Sequence, residues 1–213
     1  NFSGSETKTF QIKASDFSKC DIQLSASSFT YDGTEKKPKI TVKNGKKQLT
    51  ANTDYTVSYK NNTNAGTASV TITGKGKYSG TITKSFSIKP ADFTRASVTL
   101  SASSFTWNGT NKKPGVTVKF GRRQLTAGRD YTVSYKNNVS IGTASVTITA
   151  KGNYTGSISK NFSITAADFT KTSVSLSVSS FTYDGAEKKP KITVKNGKKQ
   201  LTANTDYTVS YKN

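Results

Sequence analysis

Residues 25–61 recur almost unchanged at 177–213, differing only at Ala26 against Val178 and Thr34 against Ala186. A divergent copy at 101–137 differs from the first at ten of 37 positions, and successive copies lie 76 residues apart. Self-similarity at a fixed period means one folding unit used repeatedly, so the fold of a 76-residue stretch is the fold of the chain. A unit that short is near the lower limit for a single hydrophobic core. No disulfide staples it, because Cys20 is the only cysteine and its counterparts are Ala96 and Thr172. Its stability has to come from packed strands and from neighbouring units.

Strand signals dominate each unit. Tyr55, Val57 and Tyr59 alternate with Thr56 and Ser58, Ala68, Val70 and Ile72 alternate with Ser69 and Thr71, and Ile82, Phe86 and Ile88 share one parity. A period of two marks half-buried strands. Further strands are expected at 98–100, 105–107 and 39–43, the last with Ile40 and Val42 inward and Lys39, Thr41 and Lys43 outward. Asp32-Gly33, Asn44-Gly45, the run 61–66 and Gly74-Lys75-Gly76 are turn residues that tolerate positive φ. No window carries an apolar stripe of helical period and length. Short, evenly punctuated strands predict an all-β unit built as a two-sheet sandwich.

Lys89-Pro90-Ala91-Asp92-Phe93 follows the strand ending at Ile88 and has counterparts at 13–17 and 165–169. Junctions placed there divide the chain into 1–13, the final strand of a preceding repeat; 14–89 and 90–165, two sandwich repeats; and 166–213, an incomplete one. The recurring Phe is expected to pack into an adjacent repeat, and the recurring Asp to bond backbone amides of a turn. An open sandwich exposes strand edges. One expectation is that Phe2, Phe10 and Ile12 carry a strand that completes the last repeat of another molecule, a head-to-tail exchange giving a filament. The alternative is a window onto a longer array.

The chain holds 32 Lys and Arg against 12 Asp and Glu, with no His, for a net charge of +20. The excess is spread, +7 over 14–89 and +8 over 90–165, and a field of one sign repeated along a chain favours polyanions. It is densest on a hairpin carrying Lys36, Lys37, Lys39, Lys43, Lys46 and Lys47, mirrored by Lys112, Lys113, Lys119, Arg122 and Arg123, and by Lys188, Lys189, Lys191, Lys195, Lys198 and Lys199. Pairing across Asn44-Gly45 is expected to set Lys43 opposite Lys46, a like-charge contact that an anionic partner such as teichoic acid, a glycosaminoglycan or a host glycan relieves. The competing reading is that edge lysines discourage sheet-to-sheet aggregation. Nucleic acid is not expected, because Tyr55, Tyr59, Phe86 and Phe105 alternate as core residues and leave no stacking platform.

Catalysis has few candidates. The absence of His removes the usual general base, and Asp32, Glu35, Asp54, Asp92 and Asp130 are scattered without the paired or clustered spacing of glycosidase or calcium sites. Asp32 is replaced by Asn108 in the middle copy. No enzyme activity, cofactor or metal is expected, and no run approaches the ~18 apolar residues of a membrane span.

The segments 29–33 (Phe-Thr-Tyr-Asp-Gly), 37–42 (Lys-Pro-Lys-Ile-Thr-Val), 54–59 (Asp-Tyr-Thr-Val-Ser-Tyr) and 66–72 (Gly-Thr-Ala-Ser-Val-Thr-Ile) resemble the tandem Ig-like repeats of Gram-positive bacterial surface proteins and adhesins, including the mucin-binding-like "YDG" class. The resemblance covers every repeat. It implies tandem Ig-like β-sandwich repeats of 76 residues arranged as an elongated rod. It further implies an extracellular, wall-associated stalk or fibre that spaces a distal domain from the cell or binds host glycans itself. Trp107-Asn108 departs from Tyr-Asp-Gly, which argues against an essential acidic role at Asp32.

Overall fold

The structure, a computed structural model, describes residues 1–212; Asn213, with which the third copy ends, lies outside the described residues. Nine strands build the first repeat: β1 (Ser15–Asp16), β2 (Asp21–Leu24), β3 (Ser28–Thr30), β4 (Ile40–Asn44), β5 (Lys47–Gln48), β6 (Tyr55–Lys60), β7 (Gly66–Gly74), β8 (Tyr78–Ser79) and β9 (Thr81–Lys89). They form a three-stranded antiparallel sheet in the order β2-β4-β5 and a four-stranded sheet in the order β3-β9-β7-β6, with β1 and β8 joined as a short parallel pair.

The alternation in β7 explains the layers. Ala68, Val70 and Ile72 are fully buried, while the threonines and serines between them lie on the other face. Phe86 and Ile88 join them from β9, and Ile22, Val42 and Leu49 are buried on the smaller sheet. Each fully buried aliphatic contributes about 1.5–3 kcal/mol, so these few side chains are the main stabilisation of a small unit. Antiparallel β7 and β9 set Ala68 opposite Phe86, and β3 adds parallel to the far side of β9 with Phe29 opposite Ile88. Phe29 then meets Phe86 edge-on, 5.6 Å between ring centroids. Val57, expected to point inward, is 36% exposed because β6 is an edge strand.

By compactness the chain divides into two units, residues 1–93 with 129–131 and 150–156, and residues 94–128, 132–149 and 157–213. The second repeat runs through β10 (Ala91–Asp92), β11 (Ser97–Leu100), β12 (Ser104–Thr106), β13 (Val116–Phe120), β14 (Arg123–Gln124), β15 (Tyr131–Lys136), β16 (Gly142–Ala150), β17 (Tyr154–Thr155) and β18 (Ser157–Thr165). Its sheet orders, β11-β13-β14 and β12-β18-β16-β15, repeat those of the first. In the second unit Ala144, Phe162 and Ile164 form a buried cluster against which Leu100, Phe105, Trp107 and Tyr135 pack. Leu100 belongs to the smaller sheet and the cluster to the larger, so the two sheets face each other as a sandwich. The third copy contributes β19 (Ser173–Leu176), β20 (Ile192–Asn196) and β21 (Lys199–Gln200) in one sheet. Val194 and Leu201 are buried there, whereas Val174, Leu176 and Phe181 are about half exposed.

Two local expectations change. In the first two repeats the recurring Phe has its aromatic partners within its own repeat: Phe17 is fully buried against Tyr55 and Tyr78, at 6.2 and 6.3 Å, and Phe93 against Tyr131 and Tyr154; Phe169, half exposed, lines a cavity with Trp107 of the preceding repeat. The cause is a 3-10 turn absent from the sequence reading, Phe17–Lys19, which rolls the ring under its own sheet. The recurring Asp does hold that turn. Asp16 Oδ1 accepts from the Ser18 amide at 2.9 Å and from its hydroxyl at 2.6 Å, bonds that hold the carboxyl below its ordinary pKa. The second change is the hairpin register, which bears on the candidate site.

Candidate binding surface on the basic hairpin

The Tyr-Asp-Gly segment folds as an Asx turn. Asp32 Oδ1 accepts from the Thr34 amide at 2.9 Å and its hydroxyl at 2.7 Å, and Gly33 takes a φ of 86°. Lys36 then closes the loop from inside. Its ammonium lies 2.5 Å from Asp32 Oδ2 and donates to Thr34 Oγ1 at 3.2 Å. Its backbone N–H donates to the Asn62 carbonyl at 2.7 Å, and Asn62 Nδ2 donates to the Lys36 carbonyl at 3.1 Å. Lys36 is 9% exposed and Asn62 8%. The Lys36 ammonium, with the Thr34 donors, holds the Asp32 carboxyl well below the usual carboxylate range. The middle copy keeps the geometry with a neutral acceptor: Asn108 Oδ1 accepts from the Thr110 amide at 3.1 Å, its hydroxyl at 2.6 Å, and Lys112 Nζ at 2.5 Å. In the third copy Lys188 pairs with Asp184. Lys36, Lys112 and Lys188 are thus loop-closing groups.

On the hairpin, Asn44 faces Lys47 and Lys43 faces Gln48, so the two loop residues are Gly45 and Lys46. The expected pairing of Lys43 with Lys46 across an Asn-Gly loop is one residue out of register. Gly45 has a φ of 57° and Lys46 a negative one, which fits a turn needing glycine only at its first central position. On its other side Lys43 faces Asp21 of β2. In the other copies Lys119 lies between Ser97 and Gln124, and Lys195 between Ser173 and Gln200. Among the described residues, none of these hairpin ladders sets one lysine against another. By the two-residue alternation Lys39 and Lys43 share the outer face, Lys46 stands in the loop, and Lys47 turns to the opposite face. The counterpart of Lys47 shows what that face offers: the Lys199 ammonium sits 3.9 Å from the centre of the Trp107 ring.

Lys37 pairs with Glu35 at 2.6 Å and Lys189 with Glu187 at 2.5 Å, all exposed. Among the described residues no acidic side chain lies within ion-pairing distance of Lys39, Lys43, Lys46, Lys119, Arg122, Lys191, Lys195 or Lys198, and all are exposed. Within each copy the structure leaves part of the predicted basic set exposed on the central strand and the hairpin loop of the smaller sheet. Phe2, Phe10 and Ile12 lie in a segment with no strand and are 108%, 85% and 89% exposed. Among the described residues no three His, Cys, Asp or Glu side chains gather as a metal site would require, and no helix is long and apolar enough to cross a membrane. Cys20 is buried, and burial pushes its thiol pKa up.

A series of small sandwiches whose polar side chains fasten loops defines a tandem all-β repeat protein. A family model described as the MBG domain matches residues 20–92 and again 96–168, and the chain belongs to that family. MBG domains are typical of bacterial surface proteins and are usually non-catalytic. Comparison with curated proteins and with solved structures gave no match.

Proposed function

We propose that this chain is a non-enzymatic spacer of a bacterial surface protein or adhesin, lying outside the cell at its surface or wall. The reading rests on repetition without a reaction centre. The same loop-closing groups recur at each period, Asp32 with Lys36, Asn108 with Lys112 and Asp184 with Lys188. What a duplicated unit of this kind adds is reach. In cells displaying the parent protein, removal of one 76-residue period is expected to reduce capture by an immobilised antibody against the distal end, with unchanged affinity of the purified distal part. Equal capture with and without the period refutes the spacer reading. A fibre formed through Phe2, Phe10 and Ile12 belongs to the same reading, supported by their exposure and that of Val174, Leu176 and Phe181. Concentration-dependent sedimentation abolished by Phe10→Asp is the outcome it requires.

A second reading is favoured by one observation, the exposed Lys39, Lys43 and Lys46, which form no ion pair among the described residues. On it, each hairpin holds an anionic polymer weakly and the array gains avidity. Titration with heparin or teichoic acid is expected to show binding that falls steeply between 50 and 200 mM salt and weakens with Lys43→Ala and Lys46→Ala. Absence of binding at low salt removes this reading.

A further inference from the structure

The aromatic residue of the Tyr-Asp-Gly motif is the feature that neither functional reading uses. Tyr31 is 6% exposed although it lies in a surface loop. Its ring stands edge-on to Tyr154 of the second repeat, 5.5 Å between centroids and 83° between planes. The residue before Tyr154 completes the contact. Asn153 Oδ1 accepts from the Ala65 amide at 2.8 Å, and Asn153 Nδ2 donates to Asn64 Oδ1 at 3.0 Å. Both atoms of one side-chain amide are thus satisfied by the Asn61–Gly66 turn of the first repeat. Tyr31, Asn64, Ala65, Asn153 and Tyr154 all belong to the first compact unit.

The third copy carries the same motif without counterparts of β7 and β9 among the described residues. Tyr183 stands in the same motif, with Thr34→Ala186 the only change between 27 and 61, yet it is 92% exposed. The described chain presents no Gly-Asn-Tyr loop to it. In the second copy the corresponding aromatic, Trp107, lines a cavity of about 260 Å³ with Ile141, Phe169 and Leu201, the counterparts of Ala65, Phe93 and Leu125. The same corner therefore carries an aromatic ring each time, buried under the Gly-Asn-Tyr loop at Tyr31 and half-buried beside Lys199 at Trp107.

We infer that the Tyr-Asp-Gly motif is an inter-repeat socket: its aromatic ring and the Asn61–Gly66 turn receive the Gly-Asn-Tyr loop, Gly152-Asn153-Tyr154, of the repeat that follows. The partner is another MBG repeat and the contact is half aromatic, half amide. Asp32 and Lys36 fix the loop that presents the ring, which explains why Asn108 serves as well as Asp: the position needs an acceptor and not a charge. The inference holds whether the array spaces or binds.

Hydrogen exchange on the full chain tests it. Asn153→Ala leaves the Tyr154 core contact with Phe93 in place and is expected to raise exchange at the Ala65 amide at least tenfold, with Val70 and Ile72 unchanged. Tyr31→Ala is expected to do the same and to lower the first thermal transition, whereas Tyr183→Ala changes neither reading. Unaltered protection at Ala65 in Asn153→Ala, or equal thermal effects of Tyr31→Ala and Tyr183→Ala, overturns the socket.

Discussion

At the scale of single residues, the loop-closing pair of Asp32 and Lys36 decides how this fold responds to acid. The Asp32 carboxyl is depressed in the folded chain, first by the Lys36 ammonium and then by the Thr34 donors. A depressed carboxylate contributes stability in full above its unfolded pKa of about 3.9 and loses it as pH falls toward the folded value. Asp184, lowered chiefly by Lys188, adds in the same direction. Asp32→Asn with Asp184→Asn copies the geometry already present at Asn108. The double variant is expected to be less stable than the parent in urea at pH 7 and to lose less between pH 4 and 2, so that the two converge in acid. An identical acid profile for both proteins would count against the pair. The inward position of Lys36 was not legible in the sequence, because it depends on Asn62, 26 residues on, taking both backbone groups of the lysine. The recurring spacing of four between Asp and Lys was the one available signal.

At the scale of elements, the strands were legible and the register was not. Period-two alternation depends only on which face is buried, so β7, with its three fully buried residues, could be read from Ala68, Val70 and Ile72 alone. Register depends on which residue takes the unusual φ, and Asn44-Gly45 invites a two-residue loop that the chain forms instead from Gly45 and Lys46. The 3-10 turn at Phe17 was missed for a related reason: the partners that bury its ring, Tyr55 and Tyr78, are distant in sequence. The hairpin turn can be tested directly. A Cβ at Gly45 meets nothing within 4 Å, so the cost of Gly45→Ala is backbone strain alone, about 1–2 kcal/mol at positive φ. Exchange at the Leu49 amide, bonded to the Val42 carbonyl at 2.9 Å, is expected to report that loss. Lys46→Ala, at negative φ and exposed, is expected to stay within about 0.5 kcal/mol.

At the scale of the whole molecule, charge and repetition act together. Seven ion pairs are present among the described residues, all close in sequence, and in each at least one partner is exposed. Such pairs contribute about 0–1 kcal/mol each and weaken with salt. Against them stands a net charge of +20 repelling itself in the compact state. The repulsion is the larger effect, so the thermal midpoint is expected to rise as sodium chloride goes from 20 to 200 mM; a fall would mean that the pairs dominate. The all-β class and the repeat were legible because they are properties of pattern and period. The socket was not, since nothing in the residues around Tyr31 indicates that its cover comes from the following repeat.

That cover has a consequence for the order of events during synthesis. Tyr154 leaves the ribosome about 120 residues after Tyr31, roughly 6–25 s later at usual elongation rates. The first repeat can fold only once β9 has followed, so for about the last 65 residues of that interval, from Lys89 to Tyr154, it is complete in its own strands but unlidded. On the socket reading, a product arrested within that window carries Tyr31 bare, and the finished second repeat hides it.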